Sequence, residues 1–141
     1  MKINIINGPN LNLLGIREPE KYGKMPFEAC IDSLQIRFPE VAFGYFQSNV
    51  EGELINELHR SAGLFDGIVF NPGGYSHTSV ALHDAVAAIK TPVAEVHITN
   101  VFAREEFRHK DLISGACAGT VSGFGMDGYR LAVEAILEIQ K

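Results

Sequence analysis

Cysteine is scarce in this chain: Cys30 and Cys117 are its two thiols, far apart and neither in a Cys-x-x-Cys pair. That spacing offers no thiolate zinc site and no disulfide framework, so both are read as reduced, buried thiols, with a single disulfide as the alternative. Basic residues are outnumbered, 12 Lys and Arg against 17 Asp and Glu, and no basic run or stripe is present. A nucleic-acid backbone is therefore not an expected partner. Long apolar runs are missing as well: none approaches the roughly 20 residues that span a bilayer. Met1 and Lys2 lead straight into an apolar segment with no room for a signal peptide, so a cytoplasmic protein is expected.

Several catalytic signatures are also lacking. No Gly-x-Gly-x-x-Gly follows the first apolar segment, and no Gly-x-x-x-x-Gly-Lys-Ser/Thr occurs. Neither His-Glu-x-x-His nor histidines at ligand spacing suggest a metal. A Gly-x-Ser-x-Gly nucleophile elbow is absent. Lys90, at a helix end before Thr91 and Pro92, reads as solvated rather than as a Schiff-base amine. What remains is acid–base chemistry by Tyr, His and Arg, with no cofactor and no metal.

What is there is a regular alternation. At 141 residues, 46% hydrophobic and 21% charged, the chain suits one globular domain over residues 1–141. Apolar strands are expected near residues 3–6, 41–46, 67–71 and 93–98, with a last short one within 119–125. Between them Phe27, Cys30, Ile31, Leu34 and Phe38 fall at helical spacing, with Pro26 in the first turn and Pro39 as the stop. Ser48-x-x-Glu51 has the form of a capping box for a helix burying Leu54, Ile55 and Leu58, closed by Gly63. A further helix runs from Thr78 or Ser79 to about Ile89. Residues 103–108 read as loop or one helical turn. Asp127 is placed as the cap of a closing helix with Leu131, Ala135, Ile136 and Ile139 on its apolar face. Strand–helix repetition of this kind predicts an α/β fold: a doubly wound, flavodoxin-like parallel sheet in a three-layer sandwich.

Polar residues gather where three of these strands end. Asn7 and Asn10 follow the first, Asn71, Ser76 and His77 the third, and His97, Thr99 and Asn100 the fourth, with Arg104 and Arg108 soon after. Carboxyl ends of central strands converge on one crevice, so a small-molecule site is expected there. Glu95 and His97, two apart on a strand, share a face. A carboxylate can fix the imidazole's tautomer and keep it charged, as a general acid requires; a purely structural Glu–His bond is the alternative. Ser76, Thr78 and Ser79 could hold an anion or a hydroxyl cluster at a helix start, or could simply cap it. Arg17 and Tyr22, between Gly15 and Gly23, bring a cation beside a phenol; the plainer reading is a surface turn. His59 and His109 are read as surface residues, and Tyr45, Tyr75 and Tyr129 as packing. Arg104, Glu105 and Glu106 allow the reading of a solvated loop face.

The residues resemble a known family. Asn7-Gly8-Pro9-Asn10-Leu11-Asn12-Leu13-Leu14-Gly15 with Arg17-Glu18-Pro19 and Tyr22-Gly23 is similar to the type II 3-dehydroquinate dehydratases. So are Asn71 to Ser79, Glu95 to Asn100, and Arg104 to His109, in that order along essentially the whole chain. The resemblance implies trans elimination of water from 3-dehydroquinate to 3-dehydroshikimate through an enolate, without metal or Schiff base. It implies that Tyr22 takes the proton beside the ketone with Arg17 in support on a mobile lid, and that His97 protonates the departing hydroxyl. Asn71, His77 and Arg108 would hold ring hydroxyls, the Ile98 and Thr99 amides the carboxylate, and Asn10 a water near the enolate oxygen. Asp84 would reach a neighbouring subunit's site in a homo-dodecamer built of trimers. Three positions depart from the family pattern: Thr99 stands where serine is frequent, Gly74 where alanine is common, and Asp111 where a small hydroxyl residue is usual. The resemblance assigns Asp111 no role. It also leaves open whether the reaction serves aromatic biosynthesis or quinate breakdown.

That chemistry makes a physical demand. A free tyrosine, with a pKa of about 10, is a poor base at neutral pH. Lowering it by two or three units takes roughly 3–4 kcal/mol, which a nearby arginine supplies only where water is excluded. Gly15 and Gly23 then make sense as hinges of a cover. Positive charge from Arg17 and Arg108, with Arg104 as a further contributor, must outweigh the net −5 locally, which is feasible within a Debye length of about 8 Å.

Overall fold

Five strands, β1 (Lys2–Asn7), β2 (Ala42–Gln47), β3 (Gly67–Asn71), β4 (Val93–His97) and β5 (Gly119–Ser122), pair in parallel in the order β2-β1-β3-β4-β5. This computed structural model describes all of residues 1–141. Every residue of β3 and β4 is buried, which is why their sequences, Gly-Ile-Val-Phe-Asn and Val-Ala-Glu-Val-His, are near-continuous apolar runs rather than alternating ones.

Helices cover both faces. On one, α2 (Phe27–Arg37) and α5 (Asp127–Ile139) set Phe27, Leu34, Tyr129 and Ile136 against Ile3, Ile5, Val69 and Val96. On the other, α3 (Glu51–Ala62) and α4 (Val80–Ala88) set Leu54, Leu58 and Leu82 against Ile6, Ile68, Phe70 and Val93. The result is the doubly wound, flavodoxin-like sandwich expected from the alternation. A single short helical turn, α1 (Pro19–Tyr22), lies between β1 and α2. No helix is long and apolar enough to cross a membrane.

Helix ends differ from the sequence reading in instructive ways. Pro26 is the N-cap of α2, with extended backbone, so the helix begins one residue later. The expected Ser48–Glu51 capping box does not form. Val50 is the N-cap of α3, and the Ser48 hydroxyl accepts the Val50 amide at 2.9 Å and donates to Glu53 at 2.5 Å. The helix starts late enough that the carboxylate two positions further on reaches back. Gly63 does sit at the C-cap but with right-handed backbone, φ −96°.

Met126, not Asp127, is the N-cap of α5; Asp127 instead pairs with Arg130. The inward face of α5 is Tyr129, Ala132, Val133 and Ile136, while Ala135 and Ile139 are exposed and Leu131 is half-buried. Arg130, Glu134 and Glu138 form its polar stripe, but exposed Ala135 and Ile139 widen the apolar arc beyond the buried face, so spacing alone does not fix its phase. Residues 101–109 form two short 3-10 turns, Val101–Ala103 and Glu106–His109. Both cysteines are free; Cys30 is buried as expected, but Cys117 is only half-buried.

Candidate active site

The direction of winding reverses between β1 and β3, and a crevice opens above their carboxyl ends, where doubly wound sheets bind ligands. Asn7 and Asn71 end these strands as register partners. The Tyr129 hydroxyl sits beneath both, donating to Asn7 Oδ1 at 2.8 Å and accepting from Asn71 Nδ2 at 2.9 Å. Tyr129 is fully buried, and burial pushes its phenol pKa up, so it stays neutral and serves as a strut. The loops after the two strands touch. The Gly8 amide donates to the Asn71 carbonyl at 2.7 Å, and a Cβ at Gly8 would lie 2.6 Å from the Pro72 carbonyl oxygen.

A cavity of about 150 Å³ occupies the crevice. That is well below the roughly 300–1,000 Å³ usual for drug-sized ligands, so it suits a small molecule and not a nucleotide. Four segments line it: Asn10 after β1, Arg17 and Tyr22 around α1, Asn71 to His77 after β3, and His97 to Arg108 after β4.

The phenol end is built from distant parts of the chain. Tyr22 closes α1 and is buried, whereas Arg17 is half-exposed. The Arg17 guanidinium lies over the Tyr22 ring, 4.8 Å from its centroid, and 3.8 Å from Glu18. Arg104 makes the direct contact: its Nη1 donates to the Tyr22 hydroxyl at 2.9 Å and to Thr99 Oγ1 at 3.2 Å. The Arg104 side chain is 12% exposed, and its buried Nε donates to nothing. Far from being a solvated loop face, Arg104 brings positive charge to the phenol oxygen. Gly15 and Gly23 hold φ +92° and +82°, and Glu18 between them is also left-handed at +38°. Side chains other than glycine rarely adopt that region, so the backbone around Arg17 and Tyr22 is special at three points.

At the opposite end, His97 Nε2 faces two carboxylates, Glu95 Oε1 at 3.0 Å and Asp111 Oδ2 at 3.2 Å. Burial works against charge on His97, but hydrogen bonds and attraction from Asp111 and Glu95 prevail and raise its pKa to about 9. Glu95 is wholly buried, and burial raises it to about 7 against the pull of His97. Asp111, though burial opposes its ionisation, is held down to about 2 by His97, Glu95 and the Ile113 and Ser114 amides. At neutral pH the imidazole is a cation with Nε2–H fixed. These three groups are close enough to share an ion, their ligand atoms lying within 4.8 Å. With one nitrogen serving as donor to both carboxylates, the arrangement is a hydrogen-bonded ion pair.

The remaining expected residues divide. Asn71 spends Oδ1 on the Gly73 amide and one N–H on Tyr129, leaving one N–H free. His77 Nδ1 bonds the Lys110 carbonyl at 2.8 Å, leaving Nε2 for a ligand. The Ile98 and Thr99 amides donate to no group of the chain, and both residues line the cavity, as an anion site requires. Arg108, held by Glu105 at 2.6 Å, points a cation into the same space. Asn10 lines the cavity with left-handed backbone, φ +69°.

Asp84 is not brought in; it stands exposed on α4 beside His83. Nor do the serines after β3 form an anion site. Ser76 is buried and donates to the Gly73 carbonyl, and Ser79 caps α4 through the Leu82 amide. His59 and His109 are exposed, as expected. Sequence reasoning missed the role of Asp111 altogether. Nothing in its spacing from His97 signals that the intervening turns fold it back.

Comparisons with known proteins agree with this geometry. The family model described as Dehydroquinase class II matches residues 1–137. A 3-dehydroquinate dehydratase of Caldicellulosiruptor bescii is 50% identical, covering 98% of this chain and 97% of its own. The crystal structure of a type II dehydroquinase from Butyrivibrio crossotus superposes with a TM-score of 0.93 at 40% identity, covering 97% of each chain. One from Propionibacterium acnes gives 0.92 at 35% identity, covering 97% of this chain and 96% of its own.

Proposed function

Since the chain belongs to the class II dehydroquinase family, we propose that it is a 3-dehydroquinate dehydratase, eliminating water in the trans sense to give 3-dehydroshikimate. The observation that carries this reading is the placing of a phenol held by Arg104 and a carboxylate-bound imidazolium on one small cavity. One end can take a proton and the other can give one.

In the proposed sequence the Tyr22 phenolate removes the proton beside the ketone, and the electron pair moves into an enolate. Arg104 and Arg17 stabilise negative charge at the phenol oxygen before the transfer. A water held by Asn10 would donate to the enolate oxygen. The enolate then expels the ring hydroxyl, which takes the proton from His97 Nδ1 and leaves as water. His97 is left neutral with its proton on Nε2, the tautomer that Glu95 and Asp111 already hold, so no regrouping is needed.

Binding follows from the same walls. The free Ile98 and Thr99 amides and Arg108 favour the substrate carboxylate and hydroxyls, with His77 and Asn71 supplying further polar contacts. No cavity-lining residue is a lysine, which supports a route without an imine. Gly15 and Gly23 would serve as hinges letting the Arg17–Tyr22 segment close over substrate. Exposed Asp84 is free to meet a neighbouring copy in a homo-oligomer such as a dodecamer.

The test is to add 3-dehydroquinate and follow the ultraviolet absorbance of the conjugated enone, with and without a chelator or borohydride. Formation of the enone indifferent to both reagents is expected. Inactivation by borohydride in the presence of substrate would overturn the route in favour of a lysine imine.

A further inference from the structure

Asp111 comes from the loop following the Glu106–His109 turn, yet its carboxylate reaches the strand carrying His97. The loop is pinned there from several sides. Asp111 Oδ1 accepts the Ile113 and Ser114 amides at 2.9 and 3.0 Å, and the Leu112 amide donates to the Ser76 carbonyl at 2.7 Å. Ile113 is fully buried in the core beneath α4. The two carboxylate oxygens thus have separate duties: Oδ1 folds the loop and Oδ2 meets the imidazole.

We propose that Asp111 is a positioning residue for His97, a second carboxylate that clamps Nε2–H together with Glu95, orients Nδ1 toward the substrate and holds the ring in its charged form. This rests on the dehydratase reading. Glu95 comes from the same strand as His97 and holds the same ring nitrogen; burial raises it to about 7, so it is only partly ionised at neutral pH. Asp111, bonded to the same nitrogen and to two backbone amides, remains fully ionised and so supplies the charge that Glu95 gives only in part. Other groups face the imidazole too. The His77 ring is stacked with its centroid 6.4 Å away, Arg104 and Arg108 share the cavity, and Thr120 on β5 donates to Glu95 at 3.3 Å. Cys117, pushed up to about 12 mainly by burial, stays a neutral thiol. Of these groups, Asp111 is the carboxylate in direct contact with the ring that is fully ionised at neutral pH.

The test compares wild type with Asp111→Asn and Asp111→Ser. Both variants keep an acceptor for the Ile113 and Ser114 amides and remove the charge at Nε2. Isotope-labelled histidine, with His97 assigned through His97→Gln, lets NMR follow the imidazole titration in ligand-free protein. We expect the His97 transition to move down by about one to three pH units in both variants. The falling high-pH limb of kcat should move with it, while KM stays near the wild-type value. Titration curves and pH profiles superimposing on those of wild type, with only a loss of thermal stability, would overturn the proposal and leave Asp111 a loop cap. A wild-type protein that forms no enone would refute the dehydratase reading, and the ligand-free titration would still decide the role of Asp111.

Discussion

Arg104 and Tyr22 lie 82 residues apart in sequence and 2.9 Å apart in space, guanidinium nitrogen to phenol oxygen. A charge-assisted hydrogen bond of this kind contributes about 1.5–3 kcal/mol. Replacing Arg104 by Ala is expected to lower kcat roughly 10- to 100-fold, since about 1.4 kcal/mol is tenfold in rate. Steady-state kinetics of enone formation measure this. An unaltered kcat would show that the contact is absent during turnover.

Tyr22→Phe removes the oxygen and retains the ring that packs under Arg17. Loss of a proton-transfer group costs typically 10²–10⁴-fold in rate. Turnover should collapse while calorimetry still detects binding, because the amides of Ile98 and Thr99 and the cation of Arg108 are untouched. A Tyr22→Phe enzyme working near the wild-type rate would assign the base elsewhere.

His97 also links stability to pH. Its folded pKa of about 9 lies above the ordinary 6.5, so the folded state binds its proton more tightly than the unfolded chain does. The resulting stabilisation is fully present below pH 6.5 and is lost as pH rises through 9. At about 1.36 kcal/mol per unit it is on the order of 3 kcal/mol. Glu95, raised to about 7 from 4.5, adds a loss of stability that begins at lower pH. Urea unfolding of wild type should therefore show a decline between pH 6.5 and 9 that His97→Gln flattens. A variant declining as steeply as wild type would mean that His97 is not the group responsible.

Tyr129→Phe deletes the hydroxyl between Asn7 and Asn71. Asn7 Nδ2 already lacks a partner, so the variant would leave both polar ends of a fully buried amide unpaired. Such groups cost about 1–3 kcal/mol each. A drop in Tm of several degrees is expected, with KM rising as Asn71 loses its support. A variant melting with wild type would show that the hydroxyl contributes nothing.

How much of this was legible beforehand depends on range. The strands β3 and β4, buried on both faces, announced themselves as apolar runs, and the polar residues ending them pointed to the crevice. Glu95 and His97 were readable because strand geometry puts residues two apart on one face. The role of Asp111 and the contact of Arg104 with Tyr22 were not, although Arg104 itself was placed at the crevice, since each reaches its partner through irregular turns that carry no period. The phase of α5 was not fixed by spacing because two of its outward residues, Ala135 and Ile139, are apolar too. Ser48 chose Glu53 over Glu51 because a two-residue delay in the helix start changes which carboxylate can return.

The strut from α5 makes the pocket depend on a helix that lies outside the sheet. Tyr129 is what joins the two asparagines at the base of the crevice, yet it belongs to the final helix. A chain cut ahead of Asp127 keeps the residues of all five strands and lacks the floor of the pocket. Such a product is expected to be inert however well its sheet has assembled.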